Sequence, residues 1–350
     1  TYLNKRGFTS ISDMPVNEVS KLIGYHVLYY SYNKEKLVNF RPTGSTETEE
    51  EQNIKAGLYY KHRTRSSDAP TVETTPTGAS VMVYHLERYL PIFSYRYFQT
   101  KGIDAKNNYE AFYPNSTWTG DDGFNVSNAS VKEYGIIANN GYIHAVDRVV
   151  EPLETIYTEL KNKEKYSTFL DLYDSFGVYV ADDELSKSYA KAYGVDTLYQ
   201  YQHGGLPNIA CEWPTSSYLN FTALTALSYS IFAPSNTAIN SFFDSFWKIG
   251  GYSSMQEVDA LALNYFLYQF IYGGSMLFPE ELGDDELKNL AGSSLNINPA
   301  ALNEKTMCVN GALYGMDEIK EPSTFASVIG PLFQYKSARS FLYALLGSSL

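Results

Sequence analysis

Apolar positions spaced three and four apart predict a series of amphipathic helices. The first runs over 13–24, where Asp13 caps, Pro15 suits the first turn, and Val19, Leu22, Ile23 and His26 share a face. Tyr166, Phe169, Leu170 and Tyr173 predict a second, which Gly177 stops. A third follows Pro234-Ser235 with Ile239, Phe242, Phe243 and Phe246 on its apolar side, and a fourth carries Val258, Leu261, Ala262 and Tyr265. Phe341, Leu342, Leu345 and Leu346 mark a last one. Runs rich in β-branched and aromatic residues predict strands at 27–32, 56–61, 80–86, 95–100, 131–138 and 229–233. The polar tracts RPTGSTETEEEQ and KHRTRSSDAPTVETTPTG read as exposed loops, and 115–128 is rich in turn residues. Residues 182–220 show no assignable period.

One local pattern occurs twice. The stretch 138–152 reads ANNGYIHAVDRVVEP, and Asn140-Gly141 is the signal for a type I′ hairpin turn, whose two central positions both need φ > 0. Strand formers follow from Tyr142 to Val150, and Pro152, lacking an N–H for a ladder, closes the strand. The stretch 309–322, VNGALYGMDEIKEP, repeats this grammar. The turn Asn and the next Asp are seven apart in both (140 to 147, 310 to 317), and Asn and the closing Pro are twelve apart (140 to 152, 310 to 322). A repeat of this kind predicts two copies of one module.

These residues resemble the closing segment of the fasciclin-type extracellular adhesion domain, which typically reads like NGVIHVIDRVLLP. Two further segments are similar to signatures of that family. KLIGYHVL at 21–28 resembles its tyrosine-histidine segment, usually like LLKYHVL, and YSIFAPSNTAI at 229–239 resembles its TVFAPTNEAF-like segment. The resemblance is good at these segments and weak between them. It implies an α+β fold of tandem fasciclin-like modules, each a mostly antiparallel β-wedge with packed helices. It also implies a non-enzymatic adhesion or binding protein of the cell surface or extracellular space. Within the family, Tyr25 and His26 match a pair that is mainly a packing feature and is also implicated in adhesion. The high Tyr content and long loops are similar to those of fasciclin-like surface lipoproteins of gut-type Bacteroidetes. That likeness implies a bacterial outer-membrane lipoprotein with a protein or glycan partner, anchored through residues upstream of the chain start.

The two copies differ in length. Tyr268-Gln269-Phe270-Ile271 is the second counterpart of Tyr25-His26-Val27-Leu28. From Tyr25 to Asn140 is 115 residues and from Tyr268 to Asn310 is 42, so the first copy holds 73 more, at about 41–125. Phe232 precedes Tyr268 by 36 residues, and the matching position in the first copy falls before residue 1. The predicted division is a first module at 1–155, N-terminally incomplete and carrying that insertion, a second at 156–335, and a terminal helix at 336–350. That helix either finishes the second module or opens another. An incomplete first module predicts upstream residues in the native protein, an open core and a bare strand edge.

Composition narrows the function. With 44% hydrophobic and 19% charged residues, the 350-residue chain is long and apolar enough for two globular cores. A net charge of −12 argues against nucleic acid as a partner, since that requires clustered Lys and Arg. No apolar run reaches the length of a membrane span, and no signal peptide is visible. Cys211 and Cys308 are compatible with one disulfide or with two free thiols, and no zinc-ligand spacing or other metal motif occurs. No cofactor fingerprint occurs either.

No catalytic constellation is legible. His144 and Asp147, three apart on one strand, point to opposite faces. The acidic groups Asp121-Asp122, Asp182-Asp183-Glu184 and Asp284-Asp285-Glu286 offer carboxylates for a glycan-active enzyme, but their polar surroundings are those of solvated acids. Asn115, Asn125, Asn128 and Asn220 open glycosylation triplets. The candidate binding residues are Trp118, Tyr109 and Tyr113, with Phe112 nearby, in the insertion, and Tyr25 and His26. Aromatic rings on a loop either stack on a sugar or staple the loop to its domain. A structural spacer that binds nothing is the third reading of the chain.

Overall fold

The computed structural model describes residues 2–38, 60–84, 87–120, 122–211, 228–273, 275–284, 286–295 and 297–346. The chain is α+β, with short helices and three mixed or antiparallel sheets among the described residues. It divides into two compact units. The first holds Thr1–Thr155, Tyr179–Tyr201 and Ala210–Leu227, and the second holds Ile156–Val178, Gln202–Ile209 and Ser228–Leu350.

The strands are β1 (Tyr60–Ser67), β2 (Thr71–Thr74), β3 (Ser80–Val83), β4 (Glu87–Ser94), β5 (Phe124–Val126), β6 (Ala129–Ala138), β7 (Gly141–Val146), β8 (Gly177–Ala181), β9 (Tyr199–His203), β10 (Tyr229–Pro234), β11 (Ile271–Tyr272), β12 (Leu302–Cys308) and β13 (Gly311–Met316). The main sheet of the first unit runs β1-β4-β5-β6-β7 with every pair antiparallel. Its core packs Tyr25, Leu37, Ile92, Phe124 and Val131. A smaller sheet runs β2-β3-β9-β8. In the second unit the order is β11-β10-β13-β12, where β10 and β13 are parallel and the other pairs antiparallel.

Several sequence expectations are corrected here. The helix expected at 13–24 is Val16–Tyr25, entered after Pro15, while Asp13 and Ser10 form a capping box on the separate turn Ile11–Asp13. Residues 27–32 make one bridge, Leu28 to Thr64, rather than a strand. The expected strand at 95–100 is a helix, Tyr95–Lys101. Ser94 caps it through the Tyr97 N–H at 3.2 Å, and Gly102 ends it at φ 70°. These end signals outweigh the strand preference of its aromatic residues. Gly177 opens β8; the helix before it, Ser167–Asp174, stops at Ser175.

The polar tract after residue 60 is β1 and β2, not loop. Buried His62, Thr64 and Ser66 alternate with Arg63 and Arg65, so the period of two is present but written in polar residues. Thr64 Oγ1 donates to the Arg88 carbonyl at 2.7 Å, and both guanidinium groups lie over Tyr29, at 3.9 and 4.1 Å. Of the strand expected at 56–61, 56–59 lie outside the described residues. The unassigned stretch from 182 contains the helix Asp183–Tyr189, capped by Asp182 through the Leu185 N–H at 2.9 Å, and then β9.

Both repeated hairpins form, with a different turn from the one expected. Ala138 pairs with Gly141 and Cys308 with Gly311, so the two-residue loops are Asn139-Asn140 and Val309-Asn310. None of these four residues has a positive φ, so the turns are not type I′. In the second unit the glycine serves close packing instead. A Cβ on Gly311, whose φ is 142°, would lie 1.9 Å from the Tyr229 carbonyl oxygen on the parallel neighbour β10.

The helix after β10 starts at Asn236 with Ser235 as its cap, as expected. It then widens into a π-helical turn over Phe243–Trp247, which carries Trp247 into the core beside Phe246 and leaves Phe243 half-buried. Trp247 packs on Phe242 and Phe266, and its indole N–H reaches the Phe333 carbonyl at 3.0 Å.

Candidate functional site

The two hairpins have the same length and local pairing but different surroundings. In the second unit, β10 lies along β13 from Tyr229 opposite Gly311 to Pro234 opposite Met316. Asn310, at the loop, is buried: its Oδ1 accepts the Ile156 N–H at 2.9 Å and its Nδ2 donates to the Ile209 carbonyl at 2.8 Å. Ala312, Leu313 and Tyr314 are fully buried. In the first unit, β7 ends the sheet order and no described strand lies beyond it. Asn140 is exposed. Ile137 is 83% exposed where its counterpart Met307 is 5%, and Ile143 is 54% exposed where Leu313 is 0%. Tyr142 and Ile136 are exposed as well, and the cross-strand pairs Ile136–Ile143 and Ile137–Tyr142 put two exposed apolar residues on each face of the hairpin.

The predicted binding residues lie elsewhere and are mostly interior. Trp118 and Tyr109 are buried, with ring centroids 5.5 Å apart, and Phe98 and Phe93 complete the cluster. Tyr109 donates to the Ser127 carbonyl at 2.8 Å, while half-buried Tyr113 meets the Ser127 hydroxyl at 3.3 Å. Burial holds the Tyr109 phenol well above its ordinary pKa. Buried Asn125 ties down the same loop: its Nδ2 donates to the Thr117 carbonyl at 2.9 Å, and its Oδ1 accepts from Thr119 N–H and Oγ1. The rings therefore staple the loop, and the Trp118 face that a sugar would need is covered. Of the glycosylation triplets, Asn115 is exposed, Asn125 is fully buried, Asn128 is engaged with Val149 and Glu151, and Asn220 lies outside the described residues.

Tyr25 is buried and donates to the Tyr89 carbonyl at 3.0 Å. His26 bridges two segments: Nδ1 meets the Leu22 carbonyl at 2.8 Å, and Nε2 accepts the Val150 N–H at 3.0 Å. This pattern requires the neutral ring with its proton on Nδ1. Its counterpart Gln269 reproduces half of it. Nε2 donates to the Tyr265 carbonyl four residues back at 3.0 Å, but Oε1 takes the Asn289 amide at 3.3 Å. Beside Gln269, a cavity of about 290 Å³ lies among Leu295, Leu302, Met316, Glu318 and Glu321.

The titratable groups of the repeats have local partners. His144 Nε2 donates to the Tyr32 carbonyl at 2.9 Å, and Nδ1 accepts the Gly135 N–H at 3.3 Å. Asp147 accepts the Ser130 N–H at 2.9 Å and pairs with Arg148. Burial pushes its pKa up, but Arg148 and that N–H outweigh burial and hold it below the usual carboxylate range. Asp317 is lowered chiefly by Lys165, 2.8 Å away. Asp182 is a helix cap and Asp284 accepts the Glu286 N–H, while Asp121 and Asp285 lie outside the described residues. Cys211 and Cys308 are not joined in a disulfide, and Cys308 is buried.

No protein-family model matches the chain, and no curated protein matches it. Among solved structures, the chain is similar to a FAS1 domain pair from the insect cell adhesion molecule Fasciclin I. That similarity covers 87% of this chain and 81% of the other at 11% identity, with a TM-score of 0.29. No helix among the described residues is long and apolar enough to cross a membrane.

Proposed function

We propose that the chain is a non-enzymatic adhesion protein of the cell surface or extracellular space, and that it engages a protein partner through the β6–β7 hairpin of its first unit. The observation that carries this reading is the exposure of the apolar pairs Ile136–Ile143 and Ile137–Tyr142, one on each face of the hairpin, where the second hairpin buries their equivalents Met307, Ala312 and Leu313. Exposed apolar patches of this kind mark interaction sites. The three segments that resemble fasciclin signatures support the same role, as does the use of the repeat carboxylates as structural ligands.

The test is an array of purified matrix proteins, mucins and polysaccharides, scored both for retention of the chain and for release of reducing sugar. Retention on a protein without release, lost in the double variant Ile137→Asp/Ile143→Asp, is the expected result. Sugar release replaces this reading with a glycan-active enzyme, and retention on polysaccharide alone moves the partner to a glycan. Burial of Trp118 and Tyr109 favours a second reading, a spacer that binds nothing, and an array with no retention selects it.

A further inference from the structure

We infer that the cavity beside Gln269 in the second unit binds a small two-ring heteroaromatic molecule whose ring nitrogen accepts the Lys320 N–H. The inference goes beyond the adhesive reading and is independent of it. The first unit shows what closes this joint. There His26 follows the helix Val16–Tyr25, and Nε2 of its ring accepts the Val150 N–H at 3.0 Å while the Val150 side chain is buried in the core. In the second unit Gln269 takes the place of His26. Lys320 takes the place of Val150, at the same distance from the repeat asparagine (140 to 150, 310 to 320). Neither half of the closure survives. The Gln269 carboxamide turns to Tyr265 and Asn289, the Lys320 N–H makes no hydrogen bond among the described residues, and the Lys320 side chain is exposed. Gln269 and Lys320 both line the cavity, so the space lies where the first unit has its ring-to-backbone bridge.

The lining specifies the guest. Buried Phe270, Leu295 and Leu302 supply apolar walls. The volume of about 290 Å³ is about twice the ~150 Å³ of an apolar cavity that holds one benzene ring, so a two-ring molecule fits. Apolar walls with a few placed polar groups are the usual make-up of a small-molecule site. A flat ring in this space buries its faces, and its lone pair supplies the acceptor that the His26 imidazole supplies in the first unit. Glu318 and Glu321 outnumber Lys320 in the lining, and none of the three forms an ion pair among the described residues. The site is therefore net acidic and favours a neutral or cationic ligand over an anion.

The experiment titrates the isotope-labelled 350-residue chain with isoquinoline at neutral pH and follows the Lys320 amide by NMR. Saturable binding that moves the Lys320 amide proton downfield is the expected result. N-Methylisoquinolinium has the same frame with its lone pair blocked and a positive charge that the acidic lining favours. It is expected to bind roughly tenfold more weakly, the loss of one hydrogen bond. Ala301 is exposed and lines the cavity, so Ala301→Phe fills the space and abolishes binding without moving the melting temperature. Gln269→His restores the bridge of the first unit: it moves the Lys320 amide proton downfield with no ligand present and excludes isoquinoline. Absence of saturable binding, equal affinity for the methylated ring, a Lys320 amide that does not move on binding, or binding that persists in Ala301→Phe overturns the inference. The adhesive reading is tested separately by the Ile137→Asp/Ile143→Asp variant on the array, at residues of the first unit, so either can fail while the other stands.

Discussion

His62 sits in β1 beside the ring of Tyr32, at 4.6 Å between centroids, and burial lowers its pKa from 6.5 to about 3. Between those values the unfolded chain binds a proton that the folded chain does not, so stability rises with pH across that window. Urea unfolding at a series of pH values should show the first unit losing stability from pH 6.5 down toward 3, by up to several kcal/mol, roughly 1.4 for each unit of pKa difference. His62→Phe should flatten that slope. Asp147 acts in a lower window: its depressed folded pKa makes a contribution that is present above the ordinary value of 3.8 and is lost as pH falls below it. The two repeat asparagines offer a second test. Asn310→Ala leaves the Ile156 N–H and the Ile209 carbonyl without their side-chain partner and should cost about 2–4 kcal/mol. Asn140→Ala, at an exposed position, should change stability by less than ~0.5 kcal/mol by the same denaturation. The sequence aligns these two residues, but it carries no sign that one of them is buried, because the groups that Asn310 satisfies come from 156 and 209.

At the scale of elements, what could be read depended on how each element declares itself. The helix after β10 was legible from its cap and its apolar spacing, since Ser235 and Ile239, Phe242 and Phe246 obey the local rules. Trp247 was not, because a π-helical turn changes the period on which such reading rests. The β1 strand was hidden by its polar interior face, where Thr64 finds the Arg88 carbonyl rather than an apolar neighbour. The helix Tyr95–Lys101 was hidden by aromatic residues, although Ser94 and Gly102 in the sequence were sufficient signals for its ends. The insertion loop is the element where function and packing competed, and the structure places its rings inside. Trp118→Ala should therefore destabilise the first unit by about 3–5 kcal/mol in denaturant titration, the cost of a large core truncation. A surface-displayed tryptophan would change stability by a few tenths.

At the scale of the whole chain, the repeat read at 140 and 310 is one hairpin set in two different environments. Spacing identified it, because equal distances from Asn to Asp and from Asn to Pro survive any change in what surrounds the strands. Spacing was silent on the turn type and on the role of the glycine, which at 311 admits the neighbouring backbone of Tyr229. The environments make a paired prediction. Leu313 is fully buried, with β10 on one side of its strand and β12 on the other. Leu313→Lys forces an ammonium group into that core, where neither water nor a carboxylate partner stabilises it, and should unfold the second unit. Ile143→Lys places the same group at the matching position of β7, where the side chain is already more than half exposed. Lysine on a sheet edge is a common natural defence against unwanted pairing, so the fold should lose less than ~1 kcal/mol. Circular dichroism melts of the two variants measure both outcomes. A large loss from Ile143→Lys would mean that the β7 edge is covered in solution, and that the contrast between the two hairpins is not a difference in exposure.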